Sequence, residues 1–199
     1  MSSNTGLSCV IAVLVAVSAC SDDEGVLSST SPTRVSSGGG HRIKLEAVVS
    51  DRSGACPALT FRLGGISVAT TQNTDFETPC EQVVNGAAIE AQGPAMTNGA
   101  LVAREVGAGA DGRREPDFEA EGPVEQLSSA NDCTNASGRG VNVLGLGFAI
   151  GNFTRIEEIR NGCEGLTVGT LVRARGRLTN PPSSPSLPLR AMEIEGDDD

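Results

Sequence analysis

The chain has 199 residues and a formal charge of −10, with 25 acids against 15 bases and Lys44 as its one lysine. Such a chain has no basic stripe to displace counterions, and with five Phe, no Tyr and no Trp it has no aromatic platform for stacking bases, so nucleic acid is excluded as a partner. The 25 Gly and 10 Pro suit short strands joined by tight turns.

In chain order, the first feature is the uncharged apolar run LSCVIAVLVAVSA at 7–19. It is too short to span a bilayer, which takes about 20 residues, and it fits the apolar region of a secretory signal. Val17-Ser18-Ala19-Cys20 closes it, and these four residues resemble the lipobox of bacterial lipoproteins. The resemblance implies a signal peptide at 1–19 and a diacylglycerol thioether on Cys20, which becomes the first mature residue. Several acyl chains anchor firmly, because each buried methylene adds about 0.8 kcal/mol. MSSNTG carries no Lys or Arg, a departure from the usual positive flank. Ser21 follows the lipobox cysteine where retention in the inner membrane would call for Asp, so the resemblance implies the outer membrane, facing the periplasm.

Residues 20–40, rich in Ser, Gly, Asp and Thr, cannot bury enough apolar surface to fold and read as a flexible tether. From there the chain reads as two units, 41–107 and 118–196, joined by a glycine-rich, charged linker at 108–117 and ended by an acidic tail at 197–199. In the first unit, strands are expected at Ile43–Val49, Leu59–Leu63, Ile66–Thr70, Ala87–Gln92 and Leu101–Val106. In the second they are expected at Asp117–Leu127, Val141–Leu144, Phe148–Ile150, Leu171–Arg177 and Leu189–Glu195. Gly64-Gly65, Asn85-Gly86 and Asn98-Gly99 supply turns. No helical period is convincing beyond the signal region, apart from room for a short turn after Cys80 and after Cys163. The linker would let the units move unless they pack.

The units look like repeats. Thr74, Phe76 and Glu77 meet Thr154, Ile156 and Glu157 at an offset of 80; Cys80, Gly86 and Gly93 meet Cys163, Gly169 and Gly176 at 83; LVAREV (101–106) meets LRAMEI (189–194) at 88. Five short strands per unit suggest an all-β fold of two small closed barrels, which hide sheet edges. The pattern F-x-L-G-G-I-x-V, T-x-F-E, V-N-G-A-A-I-E-A-x-G and G-A-L-V-A-R-E-V resembles a bacterial domain-of-unknown-function family, number 5666. That resemblance implies two tandem five-stranded barrels of the oligonucleotide/oligosaccharide-binding (OB) type in an envelope protein, and carries over no catalytic residue.

With Cys9 in the signal and Cys20 lipidated, four cysteines remain in an oxidising compartment. The repeat selects the disulfides Cys56–Cys80 and Cys133–Cys163, each worth about 3 kcal/mol in the chain-entropy picture. Free thiols are the alternative. There is no C-x-x-C and one histidine, so zinc ligation is not expected, nor is a cofactor. His41 is a lone loop residue, G-x-S-x-G is absent, and GLGFAIG lacks the helix a nucleotide loop needs. Asp117, Glu119 and Glu121 fall at period two, as glycosidase acids would, but read more simply as a solvated edge. Period two also places Arg173, Arg175 and Arg177 on one strand face, where they would grip an anionic partner or pair with acids of the first barrel. The expected function is non-enzymatic: an envelope lipoprotein, held at the membrane by its N-terminal lipid, that binds an envelope protein or surface polymer. The alternatives are a structural spacer and a hydrolase with an unrecognised site.

Overall fold

The computed structural model describes residues 40–110, 117–128, 139–178 and 189–196. The signal region, Cys20, most of the tether, the centre of the linker, Cys133 and the acidic tail lie outside them. The chain divides into two units, Met1–Ser36 and Ser37–Asp199, and every described residue belongs to the latter.

The described residues are all-β. The first half holds β1 (Arg42–Ala55), β2 (Ala58–Leu63), β3 (Ile66–Ala69), β4 (Asp75–Phe76), β5 (Ala88–Gly93), β6 (Met96–Thr97), β7 (Ala100–Val102) and β8 (Glu105–Ala108). The second holds β9 (Asp117–Leu127), β10 (Arg139–Val143), β11 (Leu146–Ile150), β12 (Arg155–Glu157), β13 (Leu171–Leu178) and β14 (Leu189–Gly196). Single 3₁₀ turns sit at Cys80–Gln82 and Gly162–Gly165, where the sequence leaves room for them.

In the second half, β9 pairs with β10, β10 with β11, β11 with β14 in parallel, β14 with β13, and β13 with β9 again. The ring is a closed five-stranded barrel with order 1-2-3-5-4. The first half pairs its strands in the same sequence, but its fifth strand is split. β7 lies parallel to β3, and β8 lies antiparallel to β5. Between them, Ala103 N–H donates to Ala69 O and Arg104 N–H to Gln92 O, so the backbone changes partner there. The single strand expected over Leu101–Val106 is two for this reason.

The registers coincide. Val68 lies opposite Leu101 and Phe148 opposite Leu189; Phe76 opposite Val106 and Ile156 opposite Ile194; Ala91 opposite Val106 and Ala174 opposite Ile194. These pairs differ by the offsets read from the sequence. The Thr74 hydroxyl accepts from Thr71 N–H and donates to Ala103 O at 2.7 Å; that of Thr154 accepts from Gly151 N–H and donates to Ala191 O at 2.8 Å. Each Thr closes a turn and ties it to the fifth strand.

β1 runs six residues past the expected Val49. The polar SDRSG stretch reads as a loop, but it forms a bulged hairpin arm: pairing with β2 shifts between Ser50 and Ser53, and Asp51 takes a left-handed φ of 52°. Cys56 lies in the following turn, and its disulfide to Cys80 ties the hairpin to the 3₁₀ turn, with the Cα atoms 6.0 Å apart. Cys163 is disulfide-bonded as well.

The two halves are not free to move as the linker composition suggests. Arg42–Glu46 of β1 pair antiparallel with Asp117–Glu121 of β9, so one sheet crosses both halves. Ile43, Leu45, Phe118 and Ala120 point inward from this seam, fully buried, and one core cluster runs through both halves.

Replacing Thr74 by Val leaves the Thr71 N–H and the Ala103 carbonyl short of a partner, at a cost of about 1–3 kcal/mol. T154V is expected to cost a similar amount, read by urea unfolding. Unequal losses would show that the two turns do different work.

Candidate functional site

The outward side chains of the sheet form the most organised surface. Across the strand order β4-β8-β5-β1-β9-β13-β14-β12, one row of directly paired residues reads Asp75, Glu105, Gln92, Lys44, Glu119, Arg175, Glu193, Arg155. A second row reads Arg42, Glu121, Arg173, Glu195, Glu157. A third reads Gly107, Glu90, Glu46, Asp117. Strict alternation puts these charges out because Ile89, Ala91, Ile43, Leu45, Phe118, Ala120, Val172 and Ala174 fill the core between them.

Glu119 is the hub. Its side chain is 12% exposed, and it meets Arg175 at 2.8 Å, Arg42 at 3.6 Å and Arg173 at 4.0 Å. Glu121, 11% exposed, meets Arg42 at 3.2 Å and Arg173 at 3.7 Å. Glu119 and Glu121 are not the solvated edge that period-two spacing suggests, because β9 is covered on both flanks by β1 and β13 and roofed by arginines, whereas Asp117 at the start of the strand is exposed. Cations on neighbouring strands engage both carboxylates.

The structure gathers two of the three arginines singled out from the sequence into this lattice. Arg173 also reaches Glu195 at 3.7 Å and Arg175 reaches Glu193 at 3.9 Å. The hydrogen bond to Glu119 comes first among the causes that hold the Arg175 pKa above its usual value. Their partners come from β9 and β14, not from the first half, so the pairing expected with the first barrel is corrected. Arg42 is the one base that carries an ion pair across the seam among the described residues. Arg177 lies elsewhere, opposite Arg190, whose guanidinium sits 3.4 Å above the Phe153 ring.

The third row differs. Lys44 binds Glu90 at 2.7 Å, and that hydrogen bond is the main cause of its raised pKa. Among the described residues no ion pair reaches Glu46 or Asp117. The Glu105 carboxyl beside this row has a raised pKa, from burial first and then from the charges of Glu77, Glu90 and Asp75. Arg42, Lys44, Gln92, Asp117, Glu119 and Arg175 surround an open depression of about 220 Å³ on the seam. No group of three or more His, Cys, Asp or Glu among the described residues is arranged to hold a metal ion, and no described helix is long and apolar enough to cross a membrane.

Sequence reasoning missed Arg42, Lys44, Glu90, Glu193 and Arg155. RIKLE carries a period-two signal at 42, 44 and 46, but what those residues face depends on long-range register.

Residues 46–107 match a family described as a domain of unknown function (DUF5666). The match takes in the first half almost entire and stops before β9. No curated protein and no solved structure matches the chain.

Glu119→Ala removes the carboxylate that accepts from Arg175 and faces the charges of Arg42 and Arg173, and is expected to cost about 2 kcal/mol, measured by urea unfolding. Glu105 holds its proton more tightly folded than unfolded, so its ionisation destabilises the fold. E105Q is therefore expected to raise the melting temperature at pH 7, and the gain should vanish below the usual glutamate value of 4.5. A gain that persists in acid would refute the assignment.

Proposed function

We propose that this chain is a non-enzymatic binding module of the bacterial envelope, anchored through lipid on Cys20 and built from two tandem OB-type barrels. Its acidic row docks a basic segment of an envelope protein. The address rests on the lipobox resemblance and on a tether long enough to lift the barrels from the membrane. The repeat rests on the strand registers, which coincide at the sequence offsets.

One observation carries the choice of partner. Position by position, the third row is the counterpart of the second. Gly107 corresponds to Glu195, Glu90 to Arg173, Glu46 to Glu121 and Asp117 to Arg42. In the second row two arginines stand against Glu121 and Glu195; in the third row acids stand in both arginine positions, and of these Lys44 pairs Glu90 alone. A basic segment would supply the missing cations. An anionic polymer fits less well, because it would have to displace Glu119, Glu121, Glu193 and Glu195 from Arg173 and Arg175.

A photo-crosslinking residue at Glu46 of the full tethered protein, in cells, tests this. The expected product is one envelope protein joined through a Lys- or Arg-rich segment, lost in an E90Q/D117N background and absent from a probe at Val168, which is 64% exposed. Capture indifferent to that background, or none, would favour the spacer reading. A fatty-acid label fed to cells is expected to mark the protein and to be lost in Cys20→Ser; label retained by the variant, or absent from the unmodified chain, would show the lipid assignment to be wrong.

A further inference from the structure

The two halves meet as two copies of one subunit would. β1 and β9 hold the same place in their halves, since Leu45 lies opposite Ala91 and Ala120 opposite Ala174. They pair with each other antiparallel: Arg42 with Glu121, Ile43 with Ala120, Lys44 with Glu119, Leu45 with Phe118, Glu46 with Asp117. Exchanging every residue for its counterpart returns the same set of pairs. Arg42–Glu121 becomes Asp117–Glu46, and Lys44–Glu119 becomes itself. A ladder with this property has a local two-fold axis, here through Lys44 and Glu119, and two-fold axes define self-complementary dimer interfaces.

Two further features obey the same axis. The six residues around the seam depression are three counterpart pairs: Arg42 and Asp117, Lys44 and Glu119, Gln92 and Arg175. The hairpin turns cross over reciprocally. Gly64, in the β2–β3 turn, sits so close to Phe118 and Leu178 that an added Cβ would meet them at 2.6 and 2.7 Å. Leu144, its counterpart in the β10–β11 turn, accepts a hydrogen bond from Met96 N–H at 2.8 Å, and Met96 stands one position past the counterpart of Leu178.

We infer that the seam is a subunit-type interface held within one chain, and that its charges select the pairing of unlike halves over like ones. The inference rests on the reading of two equivalent halves and is independent of any partner. β1 pairing with a second β1 about the same axis would set Lys44 against Lys44, with Arg42 against Glu46 twice. β9 pairing with β9 would set Glu119 against Glu119, with Asp117 against Glu121 twice. Two unlike seams hold four opposite-charge contacts and two like-charge ones; the two like seams hold two and four. Facing charges on adjacent strands stabilise or destabilise by sign, so the code favours the arrangement seen.

The test uses the full chain with a protease site inserted between Gly109 and Asp117, cut after folding. Native mass spectrometry and far-UV circular dichroism are recorded before and after, and a heavy-isotope batch is mixed in to follow exchange. The expected result is a 1:1 noncovalent complex with unchanged dichroism. Exchange should regenerate unlike pairs in roughly tenfold excess over like pairs. Lys44→Glu, on a partly exposed side chain, should cut that excess severalfold. Cut halves that unfold, separate, or re-pair in statistical proportion would overturn the inference. The photo-crosslinking result at Glu46 would stand or fall separately, because the uncut chain reports it.

Discussion

Five residues of β1 paired with five of β9 set the architecture of the described residues. A strand has two hydrogen-bonding edges, and in each half part of the first strand has one edge that its own half does not use. Left open, such edges invite pairing with other chains. Here each edge covers the other. The consequence is a sheet that passes through both halves, with one core beneath it and one charged face above it. Strict alternation then fixes the rest: once Ile43 and Phe118 point inward, Arg42, Lys44, Asp117 and Glu119 must point outward and lie side by side.

That juxtaposition explains how Glu119 and Glu121 tolerate so little exposure. A carboxylate removed from water costs free energy unless cations and donors replace the solvent. Arg42 reaches both acids from the first half, and Arg173 reaches both from β13. The lattice is therefore a condition of the seam as much as a product of it. Isolated surface pairs contribute little, but a network in which Glu119 has three cations and Glu121 two is held by geometry that no single side chain sets. Arg173 and Arg175 stand out in the sequence as a stripe, yet in the fold they roof the acids of β9 and β14.

Much of the strand plan was legible in the sequence, because alternation and Gly-containing turns are local signals. Asp117–Leu127 is the clearest case, matching β9 at both ends. The 3₁₀ turns beside Cys80 and Cys163 were legible too, as was the Cys56–Cys80 disulfide. What was not legible is non-local. SDRSG has the composition of a loop, and only pairing with β2 makes it a bulged arm. The gap between β7 and β8 arises where the backbone passes from β3 to β5, which leaves no mark in LVAREV. The seam itself is invisible in one dimension, because nothing in RIKLE says that its neighbour is DFEAE. The charged face therefore appeared as separate arginines and separate acids.

The internal likeness of the halves separates what the fold requires from what is particular to each. Thr74 and Thr154 make the same hydrogen bonds, and both halves place a disulfide cysteine beside a 3₁₀ turn; these features serve the architecture. Where counterparts differ, the fold has tolerated a change. The clearest case in the interior is Leu59, buried in the first half, whose counterpart Arg139 is buried too. Arg139 is held by donating to the carbonyls of Cys163 and Leu166, so its charge stitches the 3₁₀ turn to β10; in the first half Arg52 of β1 donates to the corresponding carbonyl of Val83 from a different position. On the face, the counterparts Arg173 and Glu90, and Arg42 and Asp117, have opposite signs. A change of sign at an outward position alters no core contact, so packing does not demand it. It leaves one row of the face balanced and the other acidic, and the acidic row is the part of the surface whose composition the architecture does not explain.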